Sequence, residues 1–418
     1  MDRATTRPPC DLRKQSGLGE AGKLPRSVDA AIAGGGLIGL AVGWRLAARG
    51  LKVAILDCGA ANAASLMASG MLAAAAEIEP CASDLFHLAI ESQRLWPGFR
   101  TALEAASGSA IDYRDHGTMI VAIGRDEVDR LRFRFDLQRH AGAETQWLDA
   151  ADARALEPTL RPSISAGILC PHDHQVEPRR LLPALRRAFT NAGGVLIDGC
   201  TVSGVELAGG RVCGLRTSGG GIVSAPIAII AAGAWSGTPG LLPPGVGVPV
   251  RPLKGQSLSL WVPRGMECPS RVVWTDQVHI APKADRLVVG ATVEEAGFDA
   301  SRTAGGLYAL LEATRRILPG FEELRIEALQ AGLRPTSVDD APIIGTTGVS
   351  GLVLATGHHR NGYLLAPVTA AAIEALVTRG AVPPAAEPFG LARFAGGGST
   401  AHERQIHADH HQRAGARV

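Results

Sequence analysis

The residues with the clearest chemical meaning are the glycines at positions 34–39, which read GGGLIG. This G-x-G-x-x-G pattern follows an apolar run. Asp57 comes after the glycines, at a distance close to the spacing of about 20 residues that separates the glycines from an acidic residue in dinucleotide-binding folds. Gly34 would permit a tight turn, Gly36 would let the backbone approach a pyrophosphate, and Gly39 would let a helix pack on a strand. Asp57 would accept hydrogen bonds from a ribose. The spacing therefore predicts a dinucleotide site at this turn.

Two further glycine-rich turns favour FAD over NAD. They read IIAAGAWSG at 229–237 and LATGHHRNGYLLAP at 354–367, and each begins in an apolar run that is typical of a buried strand. The first glycine pattern alone is shared by NAD and FAD sites, but a cofactor as long as FAD requires several backbone contacts along its length. We therefore expect all three turns to lie along one FAD molecule.

The elements that must position these turns alternate between strands and helices. Residues 28–57 read as strand, glycine turn, helix and second strand, which together form a βαβ unit. An amphipathic helix is predicted at 178–194, and several short strands follow it. Alternating polar and apolar residues predict an antiparallel sheet from the segments 251–263, 278–293 and 324–335. A parallel-sheet domain interleaved with an antiparallel one is the expected architecture.

The composition of the 418 residues excludes several classes of protein. Hydrophobic residues make up 46% of the chain, and 42 Lys and Arg balance 40 Asp and Glu, so a large core is expected and the basic excess of a nucleic-acid binder is missing. Seven widely spaced cysteines without a C-x-x-C motif argue against a disulfide framework or structural zinc. No run is apolar enough for a secretory leader or a membrane span. We expect a cytoplasmic protein with disordered ends at 1–27 and 393–418.

Seven segments, in the same order, resemble the D-amino-acid-oxidase-like flavoproteins, and most closely the glycine oxidases of the bacterial thiazole (thiamine) pathway. The segments are AIAGGGLIGLAVGWRLAARG, LMASGMLAAA, HQVEPRRLLPAL, AAGAWSG, LVVGATVEE, AGLRPTSVDDAPIIG and ATGHHRNGYLLAP. The resemblance covers roughly residues 28–390, and ASGML, AGLRP and GHHRNG are its most specific parts. It implies oxidation of the amine of glycine or another small amino acid to the imine, with O2 reduced to H2O2.

The resemblance also implies an α/β fold in two domains that are discontinuous in sequence. An FAD-binding Rossmann-like domain of the glutathione-reductase type, with a parallel sheet, is expected at 28–112, 172–247 and 335–392. An antiparallel-sheet substrate domain is expected at 113–171 and 248–334. FAD would be bound non-covalently in a homo-oligomer, usually a tetramer. The residues expected to contact FAD are Gly34, Gly36, Leu37, Ile38, Gly39, Asp57, Ser65, Ser69, Gly70, Met71, Val205, Ala232, Gly233, Trp235, His358, Arg360, Asn361, Gly362, Tyr363 and Leu364.

Three residues are expected to act at the substrate. A guanidinium matches a carboxylate better than an ammonium, because it donates two parallel hydrogen bonds. Arg334 is the candidate, since it ends an apolar strand pattern in AGLRP and the matching family arginine clamps the substrate carboxylate. The resemblance places Arg360 near the flavin ring and the active site. His279 stands where the family has a tyrosine that contacts substrate, so a different pH profile is expected and strict glycine specificity is in doubt.

Two other functions stay open at this point. One is a flavin dehydrogenase of the same superfamily that passes electrons to a quinone or carrier and acts on a D-amino acid, an N-methyl amino acid or a hydroxy acid. The other is a catalytically silent FAD-binding partner protein, although the intact AGLRP motif argues against it. A metal site is not expected, because the family segment that matches the acidic and histidine residues of PHDHQVEP binds none; these residues are His172, Asp173, His174 and Glu177.

Overall fold

The sheet that carries the glycine-rich turns has six strands. In the computed structural model, which describes residues 24–395, these strands lie in the order β18, β19, β12, β1, β2, β8 across the sheet. All neighbouring pairs are parallel except the antiparallel edge pair of β18 with β19. The strands are β1 (Ala30–Ala33), β2 (Val53–Asp57), β8 (Val195–Asp198), β12 (Ile227–Ile230), β18 (Ile343–Thr346) and β19 (Leu352–Thr356).

A second sheet of eight strands is almost entirely antiparallel, and only its β4–β14 pair is parallel. Its order is β17, β13, β16, β15, β14, β4, β6, β5. The two longest strands, β13 and β17, pair over nearly their whole length, and Leu253 lies opposite Arg334 in their register. The strands are β4 (Thr118–Ala122), β5 (Gln146–Asp149), β6 (Ala166–Cys170), β13 (Val250–Trp261), β14 (Val272–Trp274), β15 (His279–Pro282), β16 (Arg286–Gly290) and β17 (Ile326–Ser337).

Two small sheets complete the strands. One is a three-stranded antiparallel sheet of β9 (Val202–Ala208), β10 (Arg211–Thr217) and β11 (Ile222–Ser224). The other pairs β3 (Met71–Leu72) with β7 (His174–Gln175).

Within residues 24–395, eight helices cover the sheets. A large apolar cluster joins helices α1, α3, α6 and α8 to the six-stranded sheet, and a second cluster lies between the eight-stranded sheet and α7. The helices are α1 (Leu37–Ala48), α2 (Ala64–Met67), α3 (Ser83–Ser107), α4 (Arg125–His140), α5 (Ala150–Leu156), α6 (Pro178–Asn191), α7 (Ala304–Arg315) and α8 (Gly362–Arg379), with 3-10 turns at Gly233–Trp235, Phe321–Glu323, Pro384–Phe389 and Leu391–Phe394.

Helix α1 packs unusually closely on the sheet because of glycine. A Cβ atom at Gly43 would lie 2.6 Å from Cδ1 of Ile55 in β2, so the Ile55 side chain would have to shift to admit a larger residue. The helix continues to Ala48, and Gly50 follows with a positive φ of 86° that ends it. The predicted strand, turn, helix and strand are all present, in the predicted order.

The predicted α/β fold is confirmed. The six-stranded sheet uses strands from the three segments expected to bind FAD, and the eight-stranded sheet uses strands from the two segments expected to bind substrate. Strand β17 crosses the expected boundary at 334 and ends at Ser337. Helices α3 and α4 had no sequence prediction, although the buried residues Phe86, Ala89, Trp96, Phe99 and Leu103 recur at helical spacing in α3.

Both ends of the described chain contact other parts of the fold. Ser27 forms a bridge with Ser224, and Arg393 pairs with Asp339 at 2.7 Å. The rest of the predicted disordered ends, including the histidine-rich tail, lies outside the described residues. Among residues 24–395, no helix is both long and apolar enough to cross a membrane.

Candidate active site

The first glycine turn is crowded on two sides by backbone. Gly34 has a φ of 108°, which L side chains rarely adopt, and a Cβ atom there would collide with the carbonyl of Ala231 at the end of β12. A Cβ atom at Gly39 would collide with the carbonyl of Gly34. The turn therefore closes tightly against the second glycine turn, and both glycines are needed for this geometry.

The N-terminus of helix α1 is available for an anion. Gly36 is the N-cap and supplies no side chain, and the first turn contains no acidic residue. Leu37 and Ile38 follow it, with Leu37 buried in the core. The unpaired N–H groups and the helix dipole at such an end favour a phosphate. Asp57 ends β2 beside this turn, because a Cβ atom at Gly35 would lie 2.7 Å from Cβ of Asp57.

The second and third glycine turns are joined by hydroxyl groups. Ser236 and Thr356 are hydrogen-bonded at 2.6 Å, and the Thr356 hydroxyl also donates to the carbonyl of Gly233 at 3.3 Å. Gly233 itself has a positive φ of 55°. Ala232 and Trp235 lie on the same short 3-10 turn, where Trp235 contacts the ring of Phe298.

The third turn opens helix α8 in the same way as the first turn opens α1. Its N-cap Asn361 makes no side-chain capping bond, and the first helical turn, from Gly362, has no acidic residue. The side chain of His358 turns away into the core and bonds the hydroxyl of Thr369 at 2.9 Å. The predicted contact of His358 with FAD would therefore be made by its backbone and not by its side chain.

A short helix connects the first and third turns. The hydroxyl of Tyr363 donates to the carbonyl of Ser65 in α2 at 2.6 Å, and the Ser65 hydroxyl faces Gly36, since a Cβ atom there would lie 3.1 Å away. Leu364 is buried, and its carbonyl accepts hydrogen bonds from helix α3. The structure thus brings together predicted cofactor residues that are about 300 positions apart in the chain, as in the Ser65–Tyr363 pair.

Gly70 and Met71 lie at the start of the small β3–β7 sheet. Gly70 has a φ of 74°, and a Cβ atom there would collide with the carbonyl of Val176. Met71 pairs with Gln175 and is partly buried. These contacts hold the ASGML segment against residues 175–176, directly before helix α6.

Val205 lies in the three-stranded sheet, next to the six-stranded one. It sits in β9, where its N–H donates to the carbonyl of Leu241 and its side chain packs against an apolar cluster that both sheets share. At the Asp57 end of β2, Asp57 lies opposite Asp198 of β8, and the N–H of Cys200 donates to the Asp57 carbonyl at 2.9 Å. The predicted contact of Val205 with FAD stays a prediction.

Comparison with known sequences decides the family. Residues 29–376 match the family described as FAD dependent oxidoreductase. The chain belongs to this family. The bifunctional protein ThiO/ThiG of Trichormus variabilis is 35% identical over 370 residues, which cover 88% of this chain and 55% of that protein. The glycine oxidase of Geobacillus kaustophilus is 34% identical over 373 residues, which cover 88% of this chain and 97% of that enzyme.

The crystal structure of the glycine oxidase from Geobacillus kaustophilus has the same fold. It aligns with a TM-score of 0.81 and 32% identity over 88% of this chain and 99% of that one. This chain spans about half the length of the ThiO/ThiG protein and nearly all of the glycine oxidase. FAD is therefore the cofactor of this flavoprotein. The three glycine turns and the two uncapped helix N-termini fit its pyrophosphate and its length.

Arg334 is held at the site by backbone carbonyls. Its Nη1 donates to the carbonyl of Thr292 at 3.1 Å and to that of Lys254 at 3.4 Å. A Cβ atom at Gly255 would collide with the guanidinium, so this glycine provides the space that the side chain occupies. No acidic side chain within residues 24–395 forms an ion pair with it, and burial, reinforced by the charge of Arg360, lowers its pKa to about 10. Arg334 is still fully charged at neutral pH.

His279 faces the same region from β15. Its Nε2 and the Ser69 hydroxyl are hydrogen-bonded at 2.7 Å. Burial, together with the positive charges of Arg334 and Lys283, lowers the pKa of His279 to about 3. The imidazole is therefore neutral between pH 5 and 8, so the pH effect expected for this residue does not fall in that range.

Arg360 forms ion pairs with two glutamates. Its Nε lies 2.8 Å from Oε2 of Glu77, and its Nη2 lies 2.9 Å from Oε1 of Glu79. The positive charge of Arg360 contributes to the lowered pKa of Arg334. The structure thus brings the two predicted arginines to one site but commits Arg360 to acidic partners.

Two of the site's residues were missed by sequence reasoning. Glu77 is the first charged residue after the uncharged stretch 59–76, and this contrast was the signal that could have found it. Thr292 holds Arg334 through its backbone carbonyl, a contact that sequence does not reveal. Its hydroxyl donates to Oε1 of Glu294 at 2.5 Å, and Glu294 in turn pairs with the buried Lys254 at 3.0 Å.

The residues considered as metal ligands are engaged separately. His172 pairs with Glu144, His174 bonds Tyr113, and Glu177 pairs with Arg286. The Asp173 carboxylate accepts N–H donors from Ala75 and Ala76 at 3.0 and 2.9 Å. Within the described part of the chain, no group of three or more such residues is placed to hold a metal ion.

Proposed function

We propose that this flavoprotein oxidises the amine of glycine or another small amino acid to the imine, with O2 reduced to H2O2. The observation that carries the proposal is Arg334, a largely buried guanidinium whose described partners are carbonyl oxygens. A buried charge is unfavourable unless it is paired, and a substrate carboxylate would supply the missing partner. The similarity to the glycine oxidase of Geobacillus kaustophilus, over nearly its whole length, supports a small amino acid as substrate.

The residues of the chain bind and orient this substrate. Arg334 would hold the carboxylate through two hydrogen bonds, which fixes the direction of the substrate α-carbon. FAD, when bound, supplies the oxidising chemistry by accepting a hydride equivalent from the substrate Cα–H. His279 adds no positive charge that would repel the substrate amine, and with Nε2 bonded to Ser69 its Nδ1 is the nitrogen left for a substrate contact.

The ThiO/ThiG similarity supports one use of the product. That relative of Trichormus variabilis is named as a bifunctional protein, and this chain matches 55% of its length. We infer that the imine formed here supplies thiazole synthesis in the thiamine pathway. The homotetramer and the cytoplasmic location stay predictions.

An anaerobic titration of the holoenzyme tests the proposal. Glycine, sarcosine or D-alanine should bleach the flavin absorbance, whereas methylamine, which lacks the carboxylate, should not. Admitting air should restore the flavin and yield one H2O2 per amine oxidised. Rapid bleaching with slow reoxidation by air but fast dye reduction would indicate a dehydrogenase instead. If none of these amines bleaches the flavin, the protein is not an oxidase of small amino acids.

A further inference from the structure

The ion pairs of Arg360 connect the third glycine turn to the segment after β3. Glu77 is nearly fully buried, with 7% of its side chain exposed, whereas Glu79 is 40% exposed. Oε2 of Glu77 lies 2.8 Å from Nε of Arg360, but the two groups are not aligned for a hydrogen bond. Coulomb attraction therefore holds most of this pair together. Because a buried pair is weakly screened, Glu77 is the stronger of the two partners.

The position of Glu77 is fixed by its own segment. The backbone N–H groups of Ala75 and Ala76, directly before it, both donate to the buried carboxylate of Asp173. The segment therefore has little freedom to move Glu77 away when a ligand binds. The carboxylate stays where Arg360 meets it.

Glu77 also acts on Arg334. Burial raises the pKa of Glu77, and the charges of Arg360 and then Arg334 oppose this rise. In the same way, the charge of Glu77 opposes the lowering of the Arg334 pKa that burial and Arg360 cause. The negative charge of Glu77 is thus within interaction range of both guanidinium groups of the site.

We propose that Glu77 is a specificity-determining residue, which pairs with Arg360 and so restricts the site to amines that carry one carboxylate. This inference rests on the proposed function and deepens it. Arg334 is left as the cation free to take an anionic substrate group. A second carboxylate on the substrate would approach the buried negative charge of Glu77 and would have to compete for Arg360, which costs affinity.

Glu77→Gln tests this idea with little change in shape. The amide keeps the volume of the side chain but removes the negative charge, so Arg360 becomes able to pair with a second substrate carboxylate. Glu79→Gln removes the exposed partner and should have a smaller effect in the same direction. Glu322→Gln is the matched control, because Glu322 makes only loose surface pairs at 3.6 and 3.8 Å with Arg315 and Arg161.

The probes are two pairs of compounds that differ by one carboxylate. Methoxyacetate and diglycolate cannot be oxidised as amines, and their dissociation constants are measured from the shift in flavin absorbance of the holoenzyme. Sarcosine and iminodiacetate are the corresponding amines, and their kcat/KM values follow from anaerobic flavin reduction. For each pair, specificity is the ratio of the value measured for the diacid to the value measured for the monoacid. A general loss of protein stability would not change this ratio.

The expected result is a shift of both ratios toward the diacid by at least about tenfold in Glu77→Gln, about threefold in Glu79→Gln, and less than twofold in Glu322→Gln. Ratios that stay within twofold of wild type in Glu77→Gln overturn the inference. If Glu77→Gln does not retain FAD, Glu79→Gln decides in the same way. The two proposals fail separately: a shifted dissociation ratio without any flavin reduction overturns the amine oxidation alone, whereas reduction by sarcosine with unshifted ratios overturns the role of Glu77 alone.

Discussion

Ser69 and His279 are 210 residues apart in the chain, yet the Ser69 hydroxyl and Nε2 of the imidazole are hydrogen-bonded at 2.7 Å. Ser69 lies just before β3 in the FAD-binding part, and His279 begins β15 in the eight-stranded sheet. Gly290 completes the arrangement, since a Cβ atom there would lie 2.8 Å from Nε2 and Cε1 of the ring. The bond therefore fixes the imidazole where the two parts of the molecule meet.

The first prediction concerns catalysis by the neutral imidazole. His279→Ala should raise KM for the best substrate by roughly fivefold or more, because a contact of about 1 kcal/mol is lost. Since burial holds the His279 pKa at about 3, the ratio of wild-type to variant kcat/KM should be constant between pH 5 and 8. Steady-state kinetics across this range is the measurement, with the exposed His140→Ala as control. A wild-type inflection in this range that disappears in His279→Ala would contradict a neutral imidazole.

The second prediction concerns acid stability. The pKa of His279 in the folded state, about 3, lies below the ordinary 6.5, so protonation opposes folding. The stability that the neutral ring contributes is complete above pH 6.5 and is lost as the pH falls toward 3. His279→Gln removes this component, so its Tm should fall less than that of wild type between pH 6.5 and 4, by roughly 2–4 °C. Parallel Tm curves for the two proteins would mean that His279 is not held neutral.

The third prediction concerns the support of Arg334. Hydrogen bonds from Thr292, Gln256 and Lys254 outweigh burial and keep the pKa of Glu294 below its ordinary value. Glu294→Gln weakens the bond that orients Thr292, whose carbonyl holds Arg334. KM for glycine should rise about fivefold with kcat changed less than twofold, and stability should fall by about 1–3 kcal/mol, because Lys254 loses its partner.

The neighbouring Glu295 gives a matched control for this change. Its side chain is 63% exposed and pairs with Arg251 at the surface. Glu295→Gln should leave KM and the denaturation midpoint unchanged, since exposed pairs contribute little. Equal effects of the two substitutions would show that Glu294 does not act through Thr292.

The fourth prediction concerns the first glycine turn. Gly36→Val should yield apoprotein, because a β-branched side chain would occupy the space where a pyrophosphate meets the backbone. Gly124→Val is the control: Gly124 is also an extended N-cap, of helix α4, and a Cβ atom there meets nothing within 4 Å. The flavin content of the two purified variants is the measurement. A fully yellow Gly36→Val protein would remove this loop from the FAD site.

Local geometry was predictable from the sequence because short-range spacing determines it. The G-x-G-x-x-G pattern and Asp57 lie within one βαβ unit, so their order alone placed them at one sheet edge. Val205 was assigned to the same site through the resemblance alone, because no spacing rule connects it to the glycine turn.

Contacts between residues far apart in the chain could not be predicted from the sequence, for a different reason. Arg360 contacts the Glu77 segment although the two are 283 positions apart in the chain. No sequence pattern around either residue indicates that the other is its partner. Arg360 was expected at the site through the resemblance, but its commitment to two glutamates follows only from how the third turn packs over the segment after β3. The tertiary structure therefore determines which charged groups of the site are paired.

The last prediction concerns Arg334 as the carboxylate clamp. Arg334→Ala should lower kcat/KM for glycine at least about a hundredfold, or roughly 2.7 kcal/mol, because the charge-assisted bonds are lost and the substrate can rotate. Arg334→Lys should recover only part of this, since one ammonium cannot reproduce the planar fork. FAD content should stay normal in both variants.

Gly255→Ala separates the position of the guanidinium from its charge. The added methyl group would collide with the guanidinium, so the charge stays but the clamp must shift. Its kcat/KM should fall between the values of wild type and Arg334→Ala. The deciding comparison is glycine against methylamine, measured by anaerobic flavin reduction. Wild type should strongly prefer the carboxylated amine, and Arg334→Ala should lose most of that preference; an unchanged preference in Arg334→Ala would mean that another group binds the carboxylate.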